Sequence, residues 1–312
     1  VKYSSKQGII FMFSRVLLFL ATNILVIATI SIVTNLLGLH SYLTSHGINY
    51  LSLAIFCALW GTAGAFISLF TSKFIAKKSM GVNIIDPNTA AGEEKDIIDL
   101  IHRLARKAGL KTLPEVGIYN SPELNAFATG PTKNNSLLAV SSGLLQKMNP
   151  DEIEGVLGHE ITHITNGDMV TMTLILGIIN AFALFLSRLA AYVISVGAAE
   201  RNNNEGTING PGPLFFMLSM VFDILFTFLG SILVAAFSRH REYRADKGGA
   251  ILAGRDKMIE ALQALQKAIE PEDTRAPSLA TLKISHKSGG FRALFSSHPP
   301  LELRIARLQK GE

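Results

Sequence analysis

The stretch Gly158-His159-Glu160-Ile161-Thr162-His163 decides how the rest of the chain is read. Two histidines four residues apart lie about 40° apart around a helix, so both imidazoles can reach one metal ion. The glutamate between them points to the flank of that pair, where it can take a proton from a metal-activated water. The pattern requires a helix, and the residues upstream specify one. Asn149 is a capping residue, Pro150 suits the first helical position, and Glu152 stands three past the cap, as a capping box requires. Ile153, Leu157, Ile161 and Ile164 form an apolar stripe that leaves His159 and His163 on an adjoining face, and Gly167 is the expected stop. Taken alone, the pattern also fits a surface helix with two solvated histidines, so the surroundings must decide.

Those surroundings are apolar. Of 312 residues only 17% are charged, against roughly 25% in soluble domains. The deficit is concentrated: residues 16–72 contain no Asp, Glu, Lys or Arg. A membrane crossing needs about 20 apolar residues, so this run reads as a hairpin with helices near 16–37 and 51–70. A pair of buried core helices is the alternative, and two runs of this length in succession argue against it. The first run is too long for a cleaved signal peptide and has no small-residue cleavage site before a soluble domain. Two more apolar runs follow the histidines, at about 170–196 and 214–237, separated by a polar Gly/Asn/Pro-rich loop over 200–213.

Charge asymmetry orients the hairpins. Lys2, Lys6 and Arg15 precede the first span; Lys73, Lys77 and Lys78 follow the second; Arg239, Arg241 and Arg244 follow the fourth. The two opposite loops contain only Arg201, so both termini and the polar segments are expected in the cytoplasm. These flanks explain the net charge of +5, and no nucleic-acid partner is needed. Arg188 and Asp223 interrupt the later spans. At 1.5 Å per residue Arg188 lies about 27 Å along the third span, and Asp223 about 21 Å back along the fourth. The two can therefore meet in the outer half of the bilayer as an ion pair, the alternative being that both snorkel. Cys57 is the only cysteine, which excludes an intrachain disulfide and a cysteine-type zinc site.

The polar segments read as the two halves of one domain. Residues 93–108 form an amphipathic helix stopped by Gly109, followed by strands at 115–119 and 136–140 on either side of Asn125-Ala126-Phe127-Ala128-Thr129-Gly130. Helix, strands, then histidine helix is the order of a zincin-type metalloprotease, in which an edge strand near the metal receives an extended peptide. Asn125, Ala126 and Phe127 are the expected substrate contacts. Further on come an amphipathic helix over 256–269, a mobile loop over 270–290 and a last helix beyond Pro299 and Pro300. The expected division is thus 1–78 (first hairpin), 79–168 (first protease segment), 169–238 (second hairpin) and 239–312 (second protease segment). The fold class is mainly α and integral to a membrane, with four hydrophobic helices and a cytoplasmic zincin-like α+β domain.

A zinc hydrolase takes three protein ligands and leaves one position for water. A third histidine six after His163 would mark another protease class, but that residue is Met169. Glu242 is the better third ligand. It is expected to begin a turn just past the fourth span, with Asp246 four residues on and on the same face. Spans leaving the same membrane face on adjacent helices would bring Glu242 to the histidines, and Asp246 would then hold a ligand imidazole. Ion pairs of Glu242 and Asp246 with Arg239, Arg241 or Arg244 are the alternative.

Together, His159-Glu160-Ile161-Thr162-His163 with Asn166-Gly167-Asp168, Asn125 to Gly130, Ser238-Arg239-His240-Arg241-Glu242-Tyr243-Arg244-Ala245-Asp246 and Ser297-His298-Pro299-Pro300 resemble the HtpX family of bacterial membrane metalloproteases, relatives of the CAAX prenyl endopeptidases. The resemblance spans nearly the whole chain. It implies an inner-membrane zinc endopeptidase, with one zinc per chain and a cytoplasmic active site. It also implies membrane-protein substrates and a role in quality control under stress. It assigns His159, His163 and Glu242 as metal ligands, Glu160 as the catalytic base and Asp246 as their support. Because the His-Pro segment approaches the metal in relatives, His298 is a further catalytic candidate and Arg304 a candidate for transition-state support. A specialised processing protease, or a non-catalytic membrane scaffold, remains as the alternative.

Overall fold

The computed structural model describes residues 49–201, 212–269 and 296–311, with scattered positions between 24 and 36. The first expected span (16–37) lies largely outside the described residues, as do most of the 200–213 loop and the whole of the 270–290 loop. In chain order the elements are α1 (Tyr50–Ser79), β1 (Asn83–Ile84), α2 (Glu93–Lys107), β2 (Glu115–Tyr119), β3 (Ala126–Thr132), β4 (Asn135–Ser141), α3 (Ser142–Lys147), α4 (Pro150–Asn166), α5 (Asp168–Arg201), α6 (Pro213–Ala253), α7 (Arg255–Ile269) and α8 (Leu301–Lys310). They divide into two compact units. One is drawn from the described residues up to Ser68 with Thr173–Val234, the other from Leu69–Met172 with Ala235–Glu312.

In the first unit, α1, α5 and α6 are long and apolar enough to cross a membrane. Small residues let α1 and α5 touch. Ala54, Cys57 and Ala58 pack on Ala181 and Phe185, and a Cβ added at Gly61 would lie 2.5 Å from the Ala181 backbone nitrogen. Large apolar side chains such as Trp60, Phe216, Met220 and Ile224 stand outward, as they do where lipid is the solvent. Polar contacts join α5 to α6: the Ser187 hydroxyl donates to the Ser219 carbonyl at 2.8 Å, and Arg188 Nη1 meets Asp223 Oδ1 at 2.5 Å. The two charged interruptions of the apolar spans therefore answer each other.

In the second unit, the spacing of Ile97, Ile98, Ile101, Leu104 and Ala105 makes α2 amphipathic, and all five are buried. They pack with Leu138 and Val140 of β4 and with Ile153, Leu157, Ile161 and Ile164 of α4. The sheet order is β1-β2-β4-β3. β4, buried from Ser136 to Ser141, lies inside the sheet, parallel to β2 and antiparallel to β3, and β3 lies at an edge. Strands form at 115–119 and 135–141, as expected from the sequence, but two others depart from the expectation. Residues 126–132, read as a connection, are β3. Gly130-Pro131 reads as a breaker, yet an edge strand tolerates proline, and pairing with β4 outweighs weak propensity. The two-residue β1 carries no alternation to read.

Helix α6 is a further departure. Glu242 was expected in a turn, but the helix runs unbroken to Ala253, and Gly254 (φ 111°) ends it. Arg239 to Lys247 contain no glycine or proline, so the fall in hydrophobicity there marks a change of solvent and not a helix end.

The Arg188–Asp223 pair should show strong coupling. Arg188→Leu or Asp223→Leu alone is expected to lower the melting temperature in detergent, because each leaves one charge unpaired. The double variant should recover most of the loss, with a coupling of about 0.5–3 kcal/mol. Additive losses would mean that the pair does not act as one.

Candidate metal centre

Helix α4 begins as its sequence dictates. Asn149 Oδ1 accepts from the backbone N–H groups of Asp151 and Glu152 at 2.9 Å, and Glu152 Oε2 accepts from Asn149 N–H at 2.8 Å. It ends at Gly167, whose φ of 71° lies in the left-handed region that glycine enters at little cost. That reversal has a chemical result. It turns the next residue, Asp168, back onto the helix, where its Oδ2 stands 2.6 Å from His163 Nδ1.

One helix turn earlier, His159 Nδ1 lies 3.0 Å from Asp246 Oδ1 of α6. Each imidazole therefore gives its Nδ1 proton to a carboxylate and, in its neutral form, turns an Nε2 lone pair inward. The two Nε2 atoms stand 3.1 Å apart. Glu242 completes the group, with His159 Nε2 to Oε2 at 3.5 Å and His163 Nε2 to Oε1 at 3.4 Å. These residues lie close enough to hold a metal ion. Three acceptors converging on one point repel one another unless a cation sits between them. Ligands about 2.0–2.1 Å from a tetrahedral ion stand about 3.3 Å apart, which these separations match.

Charge balance supports the same fit. Glu242, Asp246 and Asp168 are buried carboxylates; buried Arg304 lies beside two of them, and the less buried Arg241 places Nη2 3.3 Å from Glu242 Oε1. Three negative charges against two positive leave a net negative charge that a cation offsets. With no ion, the histidines take up protons in its place. Burial favours the neutral imidazole, but hydrogen bonds to Asp168 and Glu242 raise the His163 pKa to about 9. His159 is raised against the same burial effect by Asp246 and Glu242. Burial would raise the Glu242 pKa, yet hydrogen bonds from His159, His163 and His298 hold it far below the usual carboxylate range.

Arg304, from α8, is bidentate to Asp246, with Nε to Oδ2 at 2.8 Å and Nη2 to Oδ1 at 2.6 Å. Only 6% of it is exposed, and its fork is engaged in orienting the carboxylate that orients His159. The exposed His298 places Nδ1 2.8 Å from Glu242 Oε2. Glu160 lies beside the sheet edge, its Oε2 accepting from Ala128 N–H at 3.0 Å. Ala126 and Phe127 belong to this strand, while Asn125 precedes it and is tied back to Ser141. Phe127 packs on Tyr119, with ring centroids 5.6 Å apart. Two contacts escaped the sequence reading. Asp168 was legible only as part of a motif, although a carboxylate just past a left-handed glycine is positioned to fold back. Ala128 is the strand residue that meets Glu160, and nothing in an alanine signals it.

The sequence model of peptidase family M48 matches residues 91–312. A protease HtpX homolog of Bacillus licheniformis is 49% identical over 303 residues, covering 95% of this chain and 98% of that protein. The corresponding homolog of Bacillus subtilis is 47% identical (96% and 99% covered), and protease HtpX of Thioalkalivibrio sulfidiphilus is also 47% identical (95% and 98% covered). The crystal structure of S. mikatae Ste24p superposes with a TM-score of 0.54 at 20% identity, covering 88% of this chain and 65% of that one, a likeness of fold.

The raised histidine pKa gives the metal-free form a definite pH response. A pKa near 9 in the folded chain, against about 6.5 unfolded, contributes stability that is fully present below about 6.5 and is lost as pH rises through about 9. Chelator-treated protein should therefore melt at lower temperature at pH 9.5 than at pH 6.5. Adding metal should restore the melting temperature most at the higher pH, where the ligands are deprotonated. A metal-free melting temperature that rises over this range would contradict the assignment.

Proposed function

The chain belongs to peptidase family M48 and to its HtpX group, and from that premise we propose that it is a zinc endopeptidase. In this reading it cuts misfolded or damaged membrane proteins at the cytoplasmic face of the bacterial inner membrane. It is a membrane metallopeptidase; zinc, substrate and orientation are the finer parts of the proposal. One observation carries it: His159, His163 and Glu242 present three acceptors to one point, with both imidazoles fixed from behind.

Two imidazoles and a carboxylate with a remaining open position suit zinc, and the lack of a cysteine donor fits a catalytic rather than a structural site. When bound, zinc lowers the pKa of a coordinated water to about 7 and polarises the scissile carbonyl. The remaining work falls to the chain. Glu160, steadied by the Ala128 N–H, takes the proton of the attacking water and passes it to the departing amine. Edge strand β3 offers backbone groups near Asn125, Ala126 and Phe127 for pairing with an extended substrate. Asp168 and Asp246 hold the imidazole tautomers, and Arg304 holds Asp246. His298, on the exposed side of Glu242, is the group placed to donate to a developing oxyanion.

Orientation follows from the cations that flank the spans. Lys73, Lys77 and Lys78 near the end of α1 and Arg239, Arg241 and Arg244 in α6 favour a cytoplasmic site. Apolar helices in the same chain favour substrates met in the bilayer. A role in quality control under stress is what the resemblance to HtpX implies.

Purified protein should carry about one zinc per chain, lost in His159→Ala. Glu160→Gln should keep the metal while turnover falls by about 100-fold or more. Incubating both forms with membrane-protein substrates and reading the cleavage sites by mass spectrometry tests the whole proposal. An active Glu160→Gln form, or a protein free of metal, would defeat it.

A further inference from the structure

We propose that Gly248 and Gly249 are positioning residues of the metal centre. By letting α6 seat directly on α4, they set the distance between the helix that carries Glu242 and Asp246 and the helix that carries the two histidines. This rests on the reading that His159, His163 and Glu242 hold the metal.

Both glycines lie inside α6, where glycine lowers helix propensity, and neither has a positive φ to explain it. Close approach explains them. A Cβ at Gly249 would stand 3.0 Å from His159 N and 3.2 Å from His159 Cα, the backbone of a proposed ligand. From α4, a Cβ at Gly158 would meet Gly249 Cα at 3.4 Å and its carbonyl oxygen at 3.2 Å. A Cβ at Gly248 would fall 2.2 Å from Thr162 Cγ2 and 2.6 Å from Thr162 Oγ1. Thr162 cannot swing freely aside, because it is buried and its hydroxyl donates to the Gly158 carbonyl at 2.8 Å.

These contacts neighbour the ligands on both helices. Gly249 is seven residues after Glu242 and three after Asp246, so all three share one face of α6. Thr162 precedes the ligand His163. A carbon needs about 3.5–4.0 Å from its neighbours, so an alanine at Gly249 pushes the helices apart by about half an ångström. Metal–ligand distances tolerate only about 0.2 Å. The same displacement lengthens the Asp246 contact that orients His159. The second unit can absorb such a shift in its apolar packing more easily than the metal centre can in its coordination.

The experiment uses full-length protein in detergent, with zinc affinity read by chelator competition and geometry by the visible absorption of the cobalt(II) form. Gly249→Ala, whose nearest side-chain atom is the buried Met258 Sδ at 2.8 Å against 2.2 Å for Thr162 at Gly248, is the milder variant. It should fold without metal yet lose about tenfold or more in zinc affinity, with a changed cobalt spectrum. Gly248→Ala should lose at least as much, and Gly248→Ala with Thr162→Ala should return to within about threefold of wild type, because the second change removes the two nearest obstructing atoms and leaves only Cβ at 3.0 Å. Thr162→Ala alone, and Gly64→Ala, where a Cβ meets open space, should bind zinc as wild type does. If wild type itself binds no zinc, the metal reading falls. If it binds zinc and Gly249→Ala binds equally well, or if Thr162→Ala fails to rescue Gly248→Ala, this inference alone is overturned. Loss of the metal-free fold in both glycine variants would also overturn it, since the glycines would then serve packing in general.

Discussion

Three hydrogen-bond acceptors meet at one point, and the two imidazoles among them are held there from behind. His159 is held through Nδ1 by Asp246, His163 through Nδ1 by Asp168, and Glu242 is fully buried in the second unit. Such a cluster is costly to assemble, because buried lone pairs and carboxylates repel one another and have given up water. A divalent cation turns that cost into an attraction, and protons on the imidazoles are the substitute. Much of the second unit is explained by the need to maintain this arrangement: the left-handed turn at Gly167, the bidentate Arg304 fork, the unbroken helix α6 and the close crossing of α4 and α6.

The supporting groups differ in kind. Asp168 is local, five residues from the histidine it holds, and a single glycine reversal delivers it. Asp246 and Arg304 are distant in sequence and come from separate helices, so their contact with His159 depends on how α4, α6 and α8 pack. Buried charges of this kind are a poor source of stability but a strong source of uniqueness, since any other packing leaves them unpaired. The carboxylate of Glu160 is treated differently. It is only partly buried, and one oxygen is steadied by the N–H of an edge strand. That leaves it free to exchange a proton.

In the first unit the same physics acts in another solvent. Backbone groups there are satisfied within helices, small residues allow close contact, and the two opposite charges on α5 and α6 pair with each other. Cations in the second unit are also engaged. Lys73 and Lys77, counted as membrane flanks in the sequence, both reach Glu115, each at 2.7 Å. Burial would raise the Glu115 pKa, and these two lysines lower it.

Local chemistry was legible in the amino-acid order because it acts over a few residues. The capping box of α4, its stop at Gly167 and the spacing of His159 and His163 follow from contacts within about one helix turn, and the apolar lengths of the later spans and the periodic face of α2 follow from composition along a single helix. Beyond that range, Glu242 and the Arg188–Asp223 pair were reached through the order of the spans, and the rest was decided by packing. Residues 126–132 became a strand because β4 supplied hydrogen bonds that Gly130-Pro131 could not promise. Helix α6 ran past the expected turn because a change from apolar to charged residues alters the solvent without breaking the backbone. Ala128 and the Arg304 fork acquired their partners through tertiary contacts, and an ordinary alanine or arginine gives no sign in the sequence of which atom it will meet.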